Sequence, residues 1–234
     1  MLNSIKFYSM KKTAFFFIFI VTILWVCYVF YSGESLAFGI DVSHNSGDIE
    51  WQKVKNQKQY APIQFVVIRA TMGKDRKDKL FSENFNEAKS NGLIVGAYHY
   101  YDPEENSIVQ AENYLSTISL KRGDIRPVLD IEDTGNLQTV ERLREELKKW
   151  LNIVEREYRV KPIIYTSYNF YTQYLKDYEF DQYPLWIASY SLIRRNDPIV
   201  LESDILQFSD EVRVDGIPEF VDGNDAKNLE KIRL

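Results

Sequence analysis

Cysteine, histidine and basic charge are all scarce in this sequence. Its 234 residues include one cysteine, Cys27, and two histidines, and acidic residues outnumber basic ones to give a net charge of −5 at pH 7. A single cysteine excludes an intrachain disulfide, and so few histidines and cysteines argue against a zinc centre, so we expect neither a metal nor another cofactor. Because no basic run or stripe is present, we expect no nucleic acid partner.

Glycine and proline are also few, at 10 and 7 residues, and no linker, repeat or low-complexity segment interrupts the chain after residue 37. These absences exclude a collagen-like or disordered chain and favour one folded domain. Aromatic residues are abundant: the chain has 16 tyrosines, 14 phenylalanines and 4 tryptophans, and 45% of it is hydrophobic. This content favours a single barrel or sandwich with a wide cleft lined by rings.

The first 37 residues differ in character from the rest. Residues 13–31 form a run of 19 without a charge, and three lysines precede it. A helix of this length spans about 28 Å, close to the hydrocarbon thickness of a bilayer, and the lysines favour a cytoplasmic N-terminus. We therefore expect residues 1–37 to hold an inner-membrane anchor and residues 38–234 to lie outside the cytoplasm. The alternative is a signal peptide that is cleaved near Ala37 to release a secreted protein.

Hydrophobic periodicity divides residues 38–234 into alternating strands and helices. Short apolar runs predict strands at residues 38–43, 64–71, 94–101, 127–132, 161–166 and 184–190, with only short strands after residue 204. Helical spacing predicts helices at residues 51–59 and 80–91, a helix capped by Asn106, and a long amphipathic helix from Leu137 to Tyr158. Helices between successive strands indicate a parallel sheet, so we predict an α/β fold, a compact and irregular TIM-like β/α barrel.

Acidic residues recur where these strands end. Asp41 ends the first strand, and Asp222 closes the last apolar stretch. Asp130 and Glu132 end the strand at residues 127–132. Because β/α barrels bind their ligands at the carboxyl ends of the strands, we expect these four carboxylates to meet in one cleft.

Asp130 and Glu132 give the sharpest local signal. Side chains at positions i and i+2 of a strand face one side, whereas Leu129 and Ile131 face the other. Two like charges about 6–7 Å apart in a site with little water raise the pKa of one of them. A carboxylic acid that stays protonated near neutral pH can protonate a glycosidic oxygen. The alternative is structural, in that both side chains cap neighbouring loops or pair with a nearby arginine.

Eight segments of the chain share their order and spacing with one known family. They are FGIDVSHNSGDIEW (38–51), FVVIRATMGKDRKD (65–78), GAYHYYDP (96–103), QAENYL (110–115), PVLDIE (127–132), IIYTS (163–167), PLWIASY (184–190) and LQFSDEVRVDGIPEFVDGN (206–224). Through these segments the chain resembles glycoside hydrolase family 25, the Chalaropsis-type lysozymes.

The resemblance implies an N-acetylmuramidase, which hydrolyses the β-1,4 bond between N-acetylmuramic acid and N-acetylglucosamine in peptidoglycan without a metal. By matching position, Glu132 would be the general acid, and Asp130 would hold or polarise the 2-acetamido group of the substrate. Asp41 and Asp222 would line the same cleft. Whether the reaction retains or inverts the anomeric configuration depends on carboxylate separations and stays open.

Aromatic residues at the same strand ends are expected to bind sugar through their ring faces and hydroxyl groups. The candidates are Tyr98, Tyr165, Trp186 and Tyr190. His99 alternates with Tyr98 along its strand, so it faces either the core or the cleft.

The sequence departs from the family pattern at several positions. Ser46 stands where the usual DxSxxQG has glutamine, Arg69 and Met72 stand where the usual KATEG has lysine and glutamate, and Leu206 replaces a usual tryptophan. These changes bear on substrate preference and rate. They also support an alternative in which the barrel binds peptidoglycan without cutting it. A hexosaminidase of the chitinase type is a second alternative, against which the first and last acidic motifs argue.

The expected partners are peptidoglycan glycan strands and, through residues 13–31, the membrane. We expect a monomer. Whether the enzyme cuts the cell's own wall or a competitor's stays open, although a tether favours the cell's own wall because it keeps the enzyme near that substrate.

Overall fold

The computed structural model describes residues 36–136 and 139–234. The expected anchor at residues 13–31 and the first residue of the predicted long helix, Leu137, lie outside these residues. None of the helices in the described part of the chain combines the length and the apolar character needed to cross a membrane.

Strands and helices alternate along the described residues, as predicted. The strands are β1 (Ala37–Val42), β2 (Phe65–Met72), β3 (Arg76–Lys77), β4 (Ile94–Tyr100), β5 (Val128–Asp130), β6 (Ile163–Ser167), β7 (Leu185–Ala188), β8 (Ile205–Val212) and β9 (Val221–Ala226). The helices are α1 (Trp51–Asn56), α2 (Phe81–Ser90), α3 (Ser107–Thr117), α4 (Val140–Tyr158), α5 (Tyr168–Phe170), which continues as a π-helical turn at Tyr171–Leu175, and α6 (Pro198–Glu202). Short 3-10 turns lie at His44–Ser46, Phe180–Gln182, Leu192–Asn196 and Glu230–Ile232.

Eight of these strands close into a barrel, which confirms the predicted fold class. Their order is β1-β9-β8-β7-β6-β5-β4-β2, β2 pairs with β1 to complete the ring, and β3 extends β2 as a hairpin. The sheet is mixed and not purely parallel, because β9 runs antiparallel to both β1 and β8. Only a short loop joins β8 to β9, and a parallel connection needs a longer crossover. The strands after residue 204 are also longer than predicted, since β8 has eight residues.

Alternation along each strand separates two cores. Inward side chains fill the barrel and are mostly of moderate size: Ala37, Phe65, Val67, Ile125, Val128, Ile163, Trp186, Ile205, Ala226 and Ile232. Outward side chains such as Ile40, Ile68 and Leu129 pack against the helices. Inside the barrel Gly39 makes room for Phe65, whose ring would lie 2.4 Å from a Cβ at that position. Three candidate carboxylates continue these inward rows at the carboxyl end of the parallel strands. They are Asp41, Asp130 and Asp222.

The helix ends follow sequence signals. Asn106 caps α3 as predicted, and its side chain accepts hydrogen bonds from the backbone N–H groups of Ile108 and Val109. Helix α4 begins after Thr139, whose side chain accepts from the backbone N–H of Arg142. It ends at Tyr158, and the C-cap residue that follows, Arg159, adopts the left-handed conformation with φ of 58°.

His99 lies in the outer core and not in the cleft. It is fully buried, its Nδ1 lies 2.7 Å from Thr71 Oγ1, and its Nε2 lies 3.1 Å from Gln110 Oε1. Its ring stacks on Trp150 at a centroid distance of 5.5 Å. Burial lowers the pKa of His99 to about 4, so the imidazole is neutral at pH 7.

Candidate active site

A cavity of about 210 Å³ opens at the carboxyl ends of the parallel strands. It is lined by Asp41, Ser43, Asn45, Arg69, Tyr98, Tyr100, Val128, Asp130, Glu132, Tyr165, Trp186 and Asp222. This candidate catalytic cavity, or catalytic cavity for short, brings together every candidate site residue predicted from the sequence except Tyr190. Tyr190 adjoins it through a hydrogen bond to Gln207. This is the end of the barrel at which β/α enzymes bind their ligands.

Asp130 and Glu132 enter the catalytic cavity from the end of β5. Asp130 is 5% exposed, and its Oδ1 has no hydrogen-bond partner among the described residues. Burial raises the pKa of Asp130 well above its ordinary value, and the charges of Glu132 and Asp41 add to this effect. Glu132 lies beyond the strand, contrary to the predicted strand 127–132, and as a whole residue it is exposed. Partial burial of its carboxyl nevertheless raises the pKa of Glu132, and the charge of Asp133 adds to the shift.

Two side-chain amides hold the carboxylate of Asp41. Gln207 Nε2 donates to Asp41 Oδ2 at 3.0 Å, and Asn224 Nδ2 donates to the same oxygen at 2.8 Å. Asn224 comes from β9, the strand beside β1, and Gln207 comes from β8, the next strand along. Gln207 is 1% exposed and Asn224 is 0% exposed. The position of this oxygen is therefore fixed before any ligand binds.

The orientation of each amide is set by a second partner. The indole N–H of Trp186 can only donate, and it donates to Asn224 Oδ1 at 2.8 Å, so the NH₂ end of this amide faces the carboxylate. The hydroxyl groups of Tyr165 and Tyr190 donate to Gln207 Oε1 at 2.9 and 2.7 Å, which orients the second amide in the same way. Three of the aromatic residues predicted to contact sugar thus also position Asp41. Trp186 is only 2% exposed and forms part of the floor of the catalytic cavity.

Asp222 faces Asp41 in the register of β9 against β1. The pKa of Asp41 is raised well above its ordinary value, first by burial and then by the negative charge of Asp222. Burial raises the pKa of Asp222 as well. Because Asp41 Oδ2 accepts two amide N–H groups, a proton held by Asp41 resides on the other oxygen, Oδ1.

Arg69 is the one basic side chain in the lining of the catalytic cavity. Its Nε donates to Asp78 Oδ2 at 3.2 Å, and only 1% of the Asp78 side chain is exposed. Asp78 also accepts from the backbone N–H of His44 at 3.0 Å. Burial alone would raise the pKa of Asp78, but these hydrogen bonds outweigh burial and lower it. The ionised Asp78 therefore anchors Arg69, whose positive charge opposes the effect of burial on the pKa of Asp130.

A second cavity of about 200 Å³ adjoins the catalytic cavity. The two share Asp41, Ser43, Asn45, Tyr98 and Asp222, and the second adds Val42, Ser46, Phe220 and Val221. The mouth of the barrel is therefore an extended groove. A larger cavity of about 640 Å³, whose lining includes Lys161, Leu185 and Asp204, opens at the amino ends of β6, β7 and β8 and shares no residue with this groove.

Arg69, Gln207 and Asn224 belong to the site but are not among the residues predicted from the sequence. All three lie on the inward face of a strand, where Arg69 follows Val67 and Gln207 follows Ile205 by two positions. Polar residues that continue an inward apolar row near the carboxyl end of a strand are the signal that could have found them.

Comparison with known proteins identifies the family of this chain. Residues 40–217 match the family model described as Glycosyl hydrolases family 25. The chain is 41% identical over 187 residues to the uncharacterized protein YegX of Escherichia coli K12, an alignment that covers 80% of this chain and 68% of YegX. It is 30% identical over 198 residues to Lysozyme M1 of Streptomyces globisporus, which covers 80% of this chain and 66% of that protein.

A solved structure shares the architecture. The bacterial lysozyme from Streptomyces coelicolor superposes with a TM-score of 0.73 at 27% sequence identity, covering 83% of this chain and 93% of the lysozyme chain.

Proposed function

The chain belongs to family 25 of the glycosyl hydrolases, and on that premise we propose that Glu132 and Asp130 together cleave a glycan strand in the catalytic cavity. The family and its lysozyme relatives make the protein a glycosidase and a peptidoglycan-hydrolysing lysozyme. The bond cut is the β-1,4 bond between N-acetylmuramic acid and N-acetylglucosamine. One observation supports the assignment of Glu132 and Asp130 to catalysis. Both carboxyl groups line one cavity at the carboxyl end of β5, and both have a raised pKa.

In the proposed reaction Glu132 acts as the general acid. Its raised pKa keeps a larger fraction of the carboxyl protonated than in an exposed glutamate, and its place at the open mouth suits contact with the oxygen of the leaving sugar. As the bond between that oxygen and the anomeric carbon breaks, the proton of Glu132 passes to the oxygen. The resulting carboxylate can then accept a proton from the water that completes hydrolysis.

Asp130 is proposed to act on the 2-acetamido group of the sugar whose anomeric carbon reacts. Its Oδ1, which has no hydrogen-bond partner within residues 36–136 and 139–234, can accept a hydrogen bond from the acetamido N–H, and the positive charge of Arg69 opposes the rise in the pKa of Asp130 that burial causes. With this help the acetamido carbonyl oxygen can attack the anomeric carbon in place of an enzyme nucleophile. A carboxylate that activates water directly is the alternative route, and the configuration of the first product separates the two.

The remaining candidates are proposed to bind substrate around this centre. Asp41 and Asp222 would accept hydrogen bonds from sugar hydroxyl or amide groups, and Tyr98 and Tyr165 would contact the sugar from the cavity wall. Trp186, although predicted to stack on sugar, would act mainly through its hydrogen bond to Asn224, and Tyr190 would present its exposed ring at the edge.

The experiment that tests the reaction is digestion of purified peptidoglycan by the full chain, with the new ends reduced by borohydride and identified by mass spectrometry. Muramitol ends are the expected product. Glucosaminitol ends would move the cut to the other glycosidic bond and favour the hexosaminidase alternative. A wall that is bound but left intact would favour a binding module.

The lysozyme relatives make this an extracellular or periplasmic enzyme of the cell wall. We propose further that residues 13–31 tether it to the inner membrane, that residues 38–234 form the catalytic domain outside the cytoplasm, and that it acts there as a monomer. Support for the tether comes from the uncharged run of 19 residues with lysines on its N-terminal side. Cell fractionation tests it. Full-length chain in the membrane fraction is expected, whereas mature chain beginning at Phe38 and free in the medium would contradict the tether.

A further inference from the structure

An exposed aromatic ring lies at the far end of the groove from Glu132. Phe220 lines the second cavity, and 50% of it is exposed. The guanidinium of Arg213 lies 3.8 Å from the centroid of its ring and covers one face. Because the ring also lines the cavity, the uncovered part of Phe220 is available to a ligand seated there.

The loop that carries Phe220 is held in place from several sides. Arg213 Nη1 donates to the carbonyl oxygen of Pro218 at 2.9 Å, which closes the loop on itself. The backbone N–H of Glu50 donates to the carbonyl oxygen of Gly216 at 2.9 Å, which ties the loop to the start of α1. A ring that is already fixed loses little freedom when it binds a ligand.

The polar groups of the second cavity suit a sugar. The side-chain amide of Asn45 makes no hydrogen bond within residues 36–136 and 139–234, so it can both donate and accept. Ser46 lies beside it in the lining, and its small side chain leaves room in the cavity. The Ser46 hydroxyl accepts from the backbone N–H of Ser43 at 3.3 Å, which fixes the turn that presents Asn45.

We propose that the second cavity is a sugar subsite, in which a hexosamine ring of the bound glycan strand stacks on Phe220 and hydrogen-bonds to Asn45. This inference rests on the proposed function. The occupant follows from continuity, because the subsite shares Asp41, Tyr98 and Asp222 with the catalytic cavity, and a glycan seated against Glu132 extends along the same groove. The aromatic face supplies stacking area, and the amide supplies orientation.

The test measures binding without turnover. In the full chain carrying Glu132→Gln, affinity for peptide-free glycan strands is measured by calorimetry, alone and with Phe220→Ala, Phe220→Tyr or Tyr178→Ala added. Tyr178 is a matched control, since it is a 48% exposed ring covered by Arg144 at 3.2 Å and lies outside both mouth cavities. Phe220→Ala is expected to weaken binding roughly 3- to 10-fold, while Phe220→Tyr and the control leave it near the parent value.

Equal affinity of Phe220→Ala and its parent would overturn the subsite. So would a loss that appears only when the strands carry their stem peptides, since the occupant would then be peptide. A protein that binds glycan through Phe220 yet releases no reducing ends from peptidoglycan without the Glu132 substitution would refute the proposed function and support the subsite. Cleavage with a kcat/KM on peptide-free strands that Phe220→Ala leaves unchanged would refute the subsite alone.

Discussion

At the scale of single residues, the site depends on which atom of each amide faces Asp41. Trp186 can only donate, so it decides the orientation of Asn224, and Asn224 in turn places a donor on the Asp41 carboxylate. A substitution at Asn224 can therefore show whether Asp41 needs the hydrogen bond that Asn224 donates to it.

Replacing Asn224 by aspartate keeps the shape and the acceptor for Trp186, but the introduced carboxyl can donate to Asp41 only when it is protonated. We expect Asn224→Asp to lower kcat/KM at pH 7 by about 10-fold or more and to lose less at acidic pH, since a hydrogen bond to a charged group contributes about 1.5–3 kcal/mol. The pH profile on soluble glycan measures this. Asn228→Asp, at an exposed position, is the control and should match the parent. If kcat/KM of Asn224→Asp fell below that of the parent by the same factor at every pH, the hydrogen bond from Asn224 to Asp41 would not explain the loss.

Sequence alone could place Asp41 and Asp130 at one end of the barrel, because both come near the carboxyl ends of strands. Glu132 also faces this end, although it lies two residues beyond β5. Asp222 reaches the same end for another reason, because it lies near the amino end of β9, which runs antiparallel to β1. Sequence alone could not give the roles of Gln207 or Asn224. These roles depend on distances between β8 or β9 and β1, which is more than 160 residues earlier in the chain, such as the 2.8 Å from Asn224 to Asp41. The position of Trp186 on the cavity floor likewise depends on how Tyr165 packs over it, with their rings 4.9 Å apart.

At the scale of elements, most boundaries followed local signals and the exceptions have physical causes. Asn106 marked the start of a helix in the sequence, and it caps α3 in the structure. The antiparallel direction of β9 could not be predicted from the sequence, because an apolar run indicates a strand but not whether that strand pairs parallel or antiparallel with its neighbours. Strand β5 ends at Asp130, two residues before the predicted end, and the chain leaves the sheet there, which puts Glu132 at the open mouth.

The end of α4 offers a test of helix capping. Arg159 is exposed and holds φ at 58°, a conformation that costs an L-residue roughly 1–2 kcal/mol. After the added entropy of glycine in the unfolded chain is subtracted, Arg159→Gly is expected to stabilise the protein by about 0.5–1 kcal/mol. In a thermal scan this raises Tm by about 1–4 °C.

Arg156 supplies the matched control for this prediction, because it is exposed within the last turn of the same helix. Arg156→Gly is expected to destabilise by about 1 kcal/mol. If both glycine variants lowered Tm alike, the left-handed residue would carry no strain.

At the scale of the whole molecule, the free energy of unfolding depends on pH partly through His99, which lies outside the cleft. His99 has a pKa of about 4 in the folded state against about 6.5 in the unfolded chain, so the unfolded chain binds more protons between these values. Above about pH 6.5 the imidazole is neutral in both states, and the free energy of unfolding keeps its full value with respect to His99. As the pH falls from 6.5 toward 4, the unfolded chain takes up the proton first, and the free energy of unfolding decreases. The decrease amounts to about 2–3 kcal/mol between pH 7 and pH 4.5.

Urea unfolding of the parent and His99→Gln at these two pH values measures the effect. The raised pKa values of Asp41 and Asp130 act in the opposite direction, since acid relieves their cost in the folded state, but both proteins share them and they cancel in the difference. We expect the variant to lose about 2–3 kcal/mol less than the parent on acidification. Equal losses would mean that His99 accepts a proton without cost in the outer core.

The central claim is that this barrel cleaves peptidoglycan with Glu132 as its acid, and the most direct measurement compares turnover by the full chain, Glu132→Gln and Glu211→Gln on purified peptidoglycan. The glutamine keeps the shape of Glu132 but cannot release the proton, and Glu211 is an exposed acid outside both mouth cavities. We expect turnover to fall by about 10²- to 10⁴-fold in Glu132→Gln with the circular dichroism spectrum unchanged, and to stay at the parent value in Glu211→Gln. A Glu132→Gln enzyme that releases reducing ends within a few-fold of the parent rate would contradict the central claim.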